Sequence, residues 1–159
     1  MNTAAAEFEA RVPQTVIEAL EAVVDPEIPV LTIRDLGVLR GVRMEDEAVV
    51  VTITPTYSGC PAMVEIRENI TMALKDAGVD AFRIETRLAP AWTTDWMSEE
   101  GRKKLLEYGI APPQRNAPVS CPQCKSADTQ LVSEFGSTAC KALYQCKACL
   151  EPFDHFKCH

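Results

Sequence analysis

Histidine is almost missing from this chain: His155 and His159 are its two copies, and both lie at the far end. A histidine-based acid–base pair or a His-ligated metal site in the main body is therefore hard to build. No run of apolar residues approaches the ~18 needed to span a membrane. The opening MNTAAAEFEARVPQ lacks a basic stretch followed by an apolar one, so the expectation is a cytoplasmic protein without a secretory signal. Positive charge is also scarce. Lys and Arg total 16 against 23 Asp and Glu, leaving −7 and arguing against a nucleic-acid partner, which needs a basic footprint. No GxGxxG or P-loop pattern occurs, so no nucleotide site is indicated.

What is present is unevenly placed. Up to Arg115 there are 12 basic and 19 acidic residues; from Asn116 onward there are 4 of each. Cys60 stands alone in the first part, whereas Cys121, Cys124, Cys140, Cys146, Cys149 and Cys158 crowd the end. Composition thus breaks near APPQRNAP, whose prolines read as a linker. The expectation is a domain over 1–115 and a second over 116–159.

In the first part the apolar spacing predicts helix, strand, strand, helix, strand, helix. Val16, Ile17, Leu20, Val23 and Val24 recur at helical spacing after Pro13. DPEIPVLTIRDLG reads as an ordered loop. Residues 38–44 and 48–54 read as an antiparallel hairpin. Met63, Ile66, Ile70, Leu74 and Ala77 stripe a second helix, with Gly78 as its stop. Phe82, Ile84, Thr86 and Leu88 alternate as a half-buried strand, and Ser98 opens a last helix to Tyr108. The fold class that follows is α+β, a small two-layer sandwich with an appended C-terminal ribbon.

Two constellations carry chemistry. Cys121-Pro122-Gln123-Cys124 and Cys146-Lys147-Ala148-Cys149 are CxxC knuckles separated by residues 125–145. A hairpin of 129–135 and 139–145 would bring the four thiolates to one point, a tetrahedral site suited to Zn²⁺ and acceptable to iron. Two disulfides are the competing reading, disfavoured without a signal for export. A module this small buries little apolar surface, so the metal would supply missing stability. Cys140, Cys158, His155 and His159 could complete another ligand set. The simpler reading makes Cys140 a buried strand residue and Cys158 and His159 a loose tail.

The second constellation is TPTYSGCP. A strand ends, a glycine turns the chain, and Pro61 starts a helix with Cys60 as N-cap. There the free N–H groups favour a thiolate, suited to a nucleophile or metal ligand; the bland alternative is a small residue filling a turn. Asp25, Glu27 and Asp35 could be read as a carboxylate cluster. Trp92 and Trp96 read as packing residues, or as a partner contact.

Three blocks, VIEALEAVVDPEIPVLTIRDLGVLRGV, VVVTITPTYSGCPA and LAPAWTTDWMSEEGRKKL, carry a resemblance over residues 13–110 to the iron–sulfur cluster assembly domains of SUF-type and cytosolic targeting factors. With the four-cysteine ribbon, the chain resembles the D subunits of phenylacetyl-CoA epoxidase systems of bacterial phenylacetate degradation. The resemblance implies an accessory subunit, not itself catalytic, that helps mature the iron–sulfur or di-iron cofactor of the oxygenase. It implies that Cys60 handles iron or cluster transiently, that Asp25, Glu27 and Asp35 shape the pocket around it, and that the ribbon zinc is structural. Its partners would be the other epoxidase subunits. One cysteine cannot hold a cluster that needs four ligands, so a homodimer or a client would supply the rest. A rubredoxin-like electron carrier and a pure scaffold are the rival readings.

Overall fold

A computed structural model describes residues 7–57 and 59–158, divided into two compact units with the boundary at Ser98/Glu99. The class is α+β, with one four-stranded sheet in each unit.

The first unit contains β1 (Glu7–Phe8), α1 (Gln14–Glu21), α2 (Ile33–Leu36), β2 (Leu39–Glu45), β3 (Ala48–Ile53), α3 (Ala62–Asp76) and β4 (Phe82–Thr86). The sheet order is β1-β2-β3-β4. The β2–β3 hairpin is antiparallel, and β4 returns parallel to β3. A parallel return needs a crossover, which α3 supplies. Val16 and Leu20 of α1, Ile66, Ile70 and Leu74 of α3, and Val49, Val51 and Ile53 of β3 are all buried. Residues four apart on the helices and two apart on the strand thus supply one core, as their periods require.

Several expectations shift. The first helix stops at Glu21 because Val24 leaves it to bridge Thr32, and the Ile33 N–H donates to the Val23 carbonyl. Val24 is consequently exposed. The strand after α3 ends at Thr86, and Leu88, expected on its buried face, is 63% exposed. The loop 25–37 contains α2, closed by a capping box in which Thr32 Oγ1 accepts from the Asp35 N–H while Asp35 Oδ2 accepts from the Thr32 N–H. Gly37 ends α2 at φ +78°, where a Cβ would lie 2.6 Å from the Trp96 carbonyl oxygen; both facts demand glycine. Trp92 and Trp96 are buried in this unit. Trp92 Nε1 donates to the Leu36 carbonyl at 2.8 Å, and the Arg40 guanidinium lies 3.7 Å above the Trp96 ring. They pack, as the first of the two sequence readings has it.

The second unit contains α4 (Glu99–Glu107), β5 (Ile110–Ala111), β6 (Thr129–Ser133), β7 (Lys141–Cys146) and β8 (Pro152–Phe156), in the order β5-β8-β7-β6. The β6–β7 hairpin is the one the ribbon spacing calls for. The stretch that reads as a linker belongs to this unit. Ala111 pairs with His155, Arg102 donates to the Pro113 carbonyl, and the Cys158 thiol donates to the Gln114 carbonyl. Its prolines keep the chain extended along an ordered path rather than freeing it. No helix among the described residues is long and apolar enough to cross a membrane.

Candidate functional site

The two knuckles are built alike. In the first, the Lys125 N–H donates to the Cys121 carbonyl and the Cys121 N–H to the Ser126 carbonyl, both at 2.9 Å. In the second, the Cys146 N–H donates to the Glu151 carbonyl at 2.9 Å, and the Cys149 N–H points at Cys146 Sγ from 3.5 Å. The residue after each second cysteine, Lys125 or Leu150, has positive φ.

The four sulfurs of Cys121, Cys124, Cys146 and Cys149 all lie within 4.8 Å of one another. Cys121 and Cys149 are 3.7 Å apart, and Cys124 and Cys146 3.5 Å apart. A tetrahedron of sulfurs around zinc at ~2.3 Å has edges near ~3.8 Å, so the set fits a tetrahedral ion. The spacing is far too long for S–S bonds of ~2.05 Å. Without a cation the crowd is electrostatically split. Cys146 is lowered to about 7, led by the Cys149 N–H, while Cys149 is raised to about 12. For Cys149 the Glu151 N–H pulls downward, but burial and the neighbouring sulfurs Cys124, Cys146 and Cys121 outweigh it. Four thiolates share one point comfortably only around a positive ion.

The lysines near the knuckles in sequence are engaged elsewhere. Lys141 faces Asp154 and Lys147 faces Asp128, each at 3.9 Å, while Lys125 Nζ donates to Pro122 O inside the first knuckle. The remaining candidate ligands stay out of the cluster. Cys140 is buried against Thr138 Oγ1 at 3.0 Å, and His155 Nδ1 donates to the Ala111 carbonyl at 3.2 Å. Cys158 is exposed, and His159 lies outside the described residues.

Cys60 lies between β3 and α3 and is 9% exposed. The helix begins at Ala62 with Pro61 as its cap, so Cys60 precedes the cap by one residue instead of occupying it. Pro61 already has helical dihedrals, and the Met63 N–H bonds the Cys60 carbonyl at 3.2 Å, so a tight turn leads from Cys60 into the helix. The carboxylates serve the backbone of the preceding loop. Asp25 Oδ1 accepts from the N–H groups of Glu27 and Ile28 at 2.9 and 2.7 Å. Asp35 Oδ1 accepts from Ser98 Oγ at 3.1 Å, beside its capping bond. Glu27 is half-buried. Among the described residues the four-cysteine group is the one set of three or more such ligand atoms close enough for a metal ion, and Cys60, Asp25, Glu27 and Asp35 are not gathered into another.

The topology nevertheless sets the two loops at one end of the sheet. The loop 25–37 runs into the start of β2, and the Cys60 loop leaves the end of its antiparallel partner β3. The Thr54 N–H donates to the Val38 carbonyl at 2.9 Å, tying them together. This is the carboxyl end of the parallel pair β3 and β4, the usual side for ligands in such sheets. Thr54 Oγ1 adds a signal that sequence reading missed: the residue is 2% exposed, and its hydroxyl lacks a partner among the described residues.

The comparisons with known proteins follow the same division. Residues 13–81 match the family described as iron-sulfur cluster assembly protein, and residues 109–157 match the PaaD zinc beta ribbon domain. A protein of Escherichia coli (strain K12), provisionally named as the D subunit of 1,2-phenylacetyl-CoA epoxidase, is 51% identical over 87% of this chain and 88% of its own. An Fe-S protein maturation auxiliary factor of Porphyromonas gingivalis is 37% identical over 61% of this chain and 90% of its own. A solved domain of unknown function, DUF59, from Bacillus anthracis superposes with a TM-score of 0.52 at 28% identity, covering 57% of this chain and 87% of that one. Four clustered thiols in the ribbon, the assembly-type domain before it and the identity along nearly the whole length place this chain in the family of phenylacetyl-CoA epoxidase D subunits, an iron–sulfur assembly domain joined to a PaaD zinc ribbon.

Proposed function

We propose that this chain is an accessory subunit of a cytoplasmic phenylacetyl-CoA epoxidase and matures the iron–sulfur or di-iron cofactor of that oxygenase. The observation that carries the reading is the place of Cys60. It is the lone cysteine of an assembly-type domain, set at the carboxyl end of a parallel strand pair and just before a 15-residue helix. The thiolate is the form in which a cysteine binds iron.

Iron or cluster is cargo here, held by Cys60 together with ligands from the client or from a second copy, because one thiolate is too few. Asp25 and Asp35 act as positioning residues: they fix the loop that abuts the Cys60 turn through Val38 and Thr54. Glu27 completes the same pocket. The near burial of Cys60 means that the turn must open for transfer, and Gly59, at φ +77° with open space around it, is suited to that movement. The ribbon carries structural zinc on Cys121, Cys124, Cys146 and Cys149 and docks the client.

The test is the metal state of the system in a strain lacking this chain. The reading requires oxygenase or reductase subunits with depleted iron, restored when the chain is returned. Colourless, zinc-loaded chain agrees with it. Red iron-thiolate protein would favour an electron carrier, and fully metallated subunits from the deletion strain would favour a scaffold.

A further inference from the structure

The first unit's sheet has a second face, alternating away from Val51 and Ile53. Its pairing runs Glu7–Gly41–Thr52–Glu85 across β1, β2, β3 and β4. Gly41 leaves no side chain in this row, and a Cβ there would lie 3.0 Å from the Glu7 carbonyl oxygen. The missing side chain opens a cleft of about 310 Å³, walled by Arg40, Arg43, Arg87 and Glu7 with Thr52 and Gly41 lining it. A β-bulge between Leu39 and Gly41 places Arg40 at its edge.

The charges in the cleft do not balance within it. Glu9, also in its wall, is engaged by Arg11 and by the Met44 N–H, and Arg43 by Glu45, Glu85 and Thr52 Oγ1. Arg87 makes no ion pair among the described residues. It lines the same cleft as Arg40, whose pKa is pulled down chiefly by burial; Glu7 opposes that, and Arg87 adds a smaller downward push. A chain of net charge −7 has thus brought like positive charges together around a small, polar-floored space. Guanidinium forks match tetrahedral oxyanions, which offer several acceptors to several donors.

We propose that this cleft binds a phosphate group, free or carried on a small phosphoester, gripped by Arg40 and Arg87 with the Thr52 hydroxyl as a further donor. A volume near 300 Å³ is at the lower end of ligand pockets and exceeds the needs of bare phosphate, which favours the phosphoester. None of these residues belongs to the Cys60 loop or the four-cysteine centre, so the site stands apart from the maturation reading.

The test is an NMR titration of the full zinc-loaded chain with inorganic phosphate, pyrophosphate or AMP at constant ionic strength set by chloride. Saturable shifts of the Gly41 and Thr52 amides and of the Arg40 and Arg87 Nε–H signals are expected. AMP binding more tightly identifies the phosphoester; equal binding identifies free phosphate. Arg87 is exposed, so R87A should fold and weaken binding at least tenfold, R87K should lie between, and K75A should change nothing. No saturable shift by a Kd of ~10 mM, or affinity indifferent to R87A, overturns the proposal. So does binding of a Glu-rich peptide without binding of phosphate.

Discussion

Lys125 and Leu150 share one backbone conformation, φ 66° and 68°, each one step past the second cysteine of its knuckle. The two CxxC turns are therefore equivalent in geometry although their intervening residues differ. Neither residue suits left-handed backbone, which costs a non-glycine residue ~1–2 kcal/mol. Leu150 also has its side chain mostly in solvent. Leu150→Gly should therefore stabilise the second unit by up to about 1 kcal/mol, after the extra unfolded-state entropy of glycine is subtracted. Slower zinc loss to a chelator would show it; faster loss would mean that the leucine side chain contributes packing.

Removal of one ligand should split the two units. Cys121→Ser leaves three thiolates, too few to close a tetrahedral site, and β6, β7 and β8 should lose their order with it. Zinc content should fall from one per chain toward zero, and amide dispersion from residues 99–158 should collapse. Trp92 and Trp96 are the chain's two tryptophans and both sit in the first unit, so their fluorescence reports that unit separately. Its urea midpoint should be unchanged.

The Asp35 carboxylate holds both the Thr32 N–H and Ser98 Oγ. Asp35→Ala leaves these groups without their acceptor and should cost about 2 kcal/mol or more. Asp35→Asn retains an acceptor oxygen and should cost roughly half that. Tryptophan fluorescence through urea unfolding is the readout, and equal midpoints for the two variants would contradict the assignment.

His155 is buried with Nδ1 donating to Ala111, and burial holds its pKa below the ordinary value of 6.5 despite that bond. The folded chain keeps it neutral while the unfolded chain protonates it. Its contribution is therefore fully present above pH ~6.5 and is lost as pH falls from there through the lower folded value. Hydrogen exchange of β8 amides should show the wild type losing stability faster than His155→Phe between neutral and mildly acidic pH. Thiolate protonation affects both proteins, so the difference isolates the histidine. Parallel curves would remove His155 from the account.

Legibility from the sequence tracked the range of the interactions. The α3 stripe, the β2–β3 hairpin and the four-cysteine set could be read because spacing alone specifies them. The strands β1, β5 and β8 could not: two residues of β1 or β5 carry no period, and both are strands only because β2 and β8 lie beside them. The early stop of α1 was hidden for the same reason, since Val23 and Val24 fit the helical stripe but are taken by the loop. Asp25, Glu27 and Asp35 drew notice as carboxylates, yet the bonds of Asp25 and Asp35 are to backbone N–H groups and a serine hydroxyl. Cys60 stood out by its place ahead of a helix, and the family resemblance gave it a role, while the unpartnered Thr54 hydroxyl beside its loop emerges only from packing.

Iron handling by Cys60, as proposed above, is read out by the iron content of the client purified from a Cys60→Ala strain. The substitution exchanges one small residue for another ahead of a helix, so tryptophan fluorescence should register a stability loss of about 1 kcal/mol or less. The account predicts that the variant chain stays folded and zinc-loaded, while oxygenase or reductase subunits are depleted of iron and growth on phenylacetate is lost. Fully metallated subunits and normal growth would contradict it.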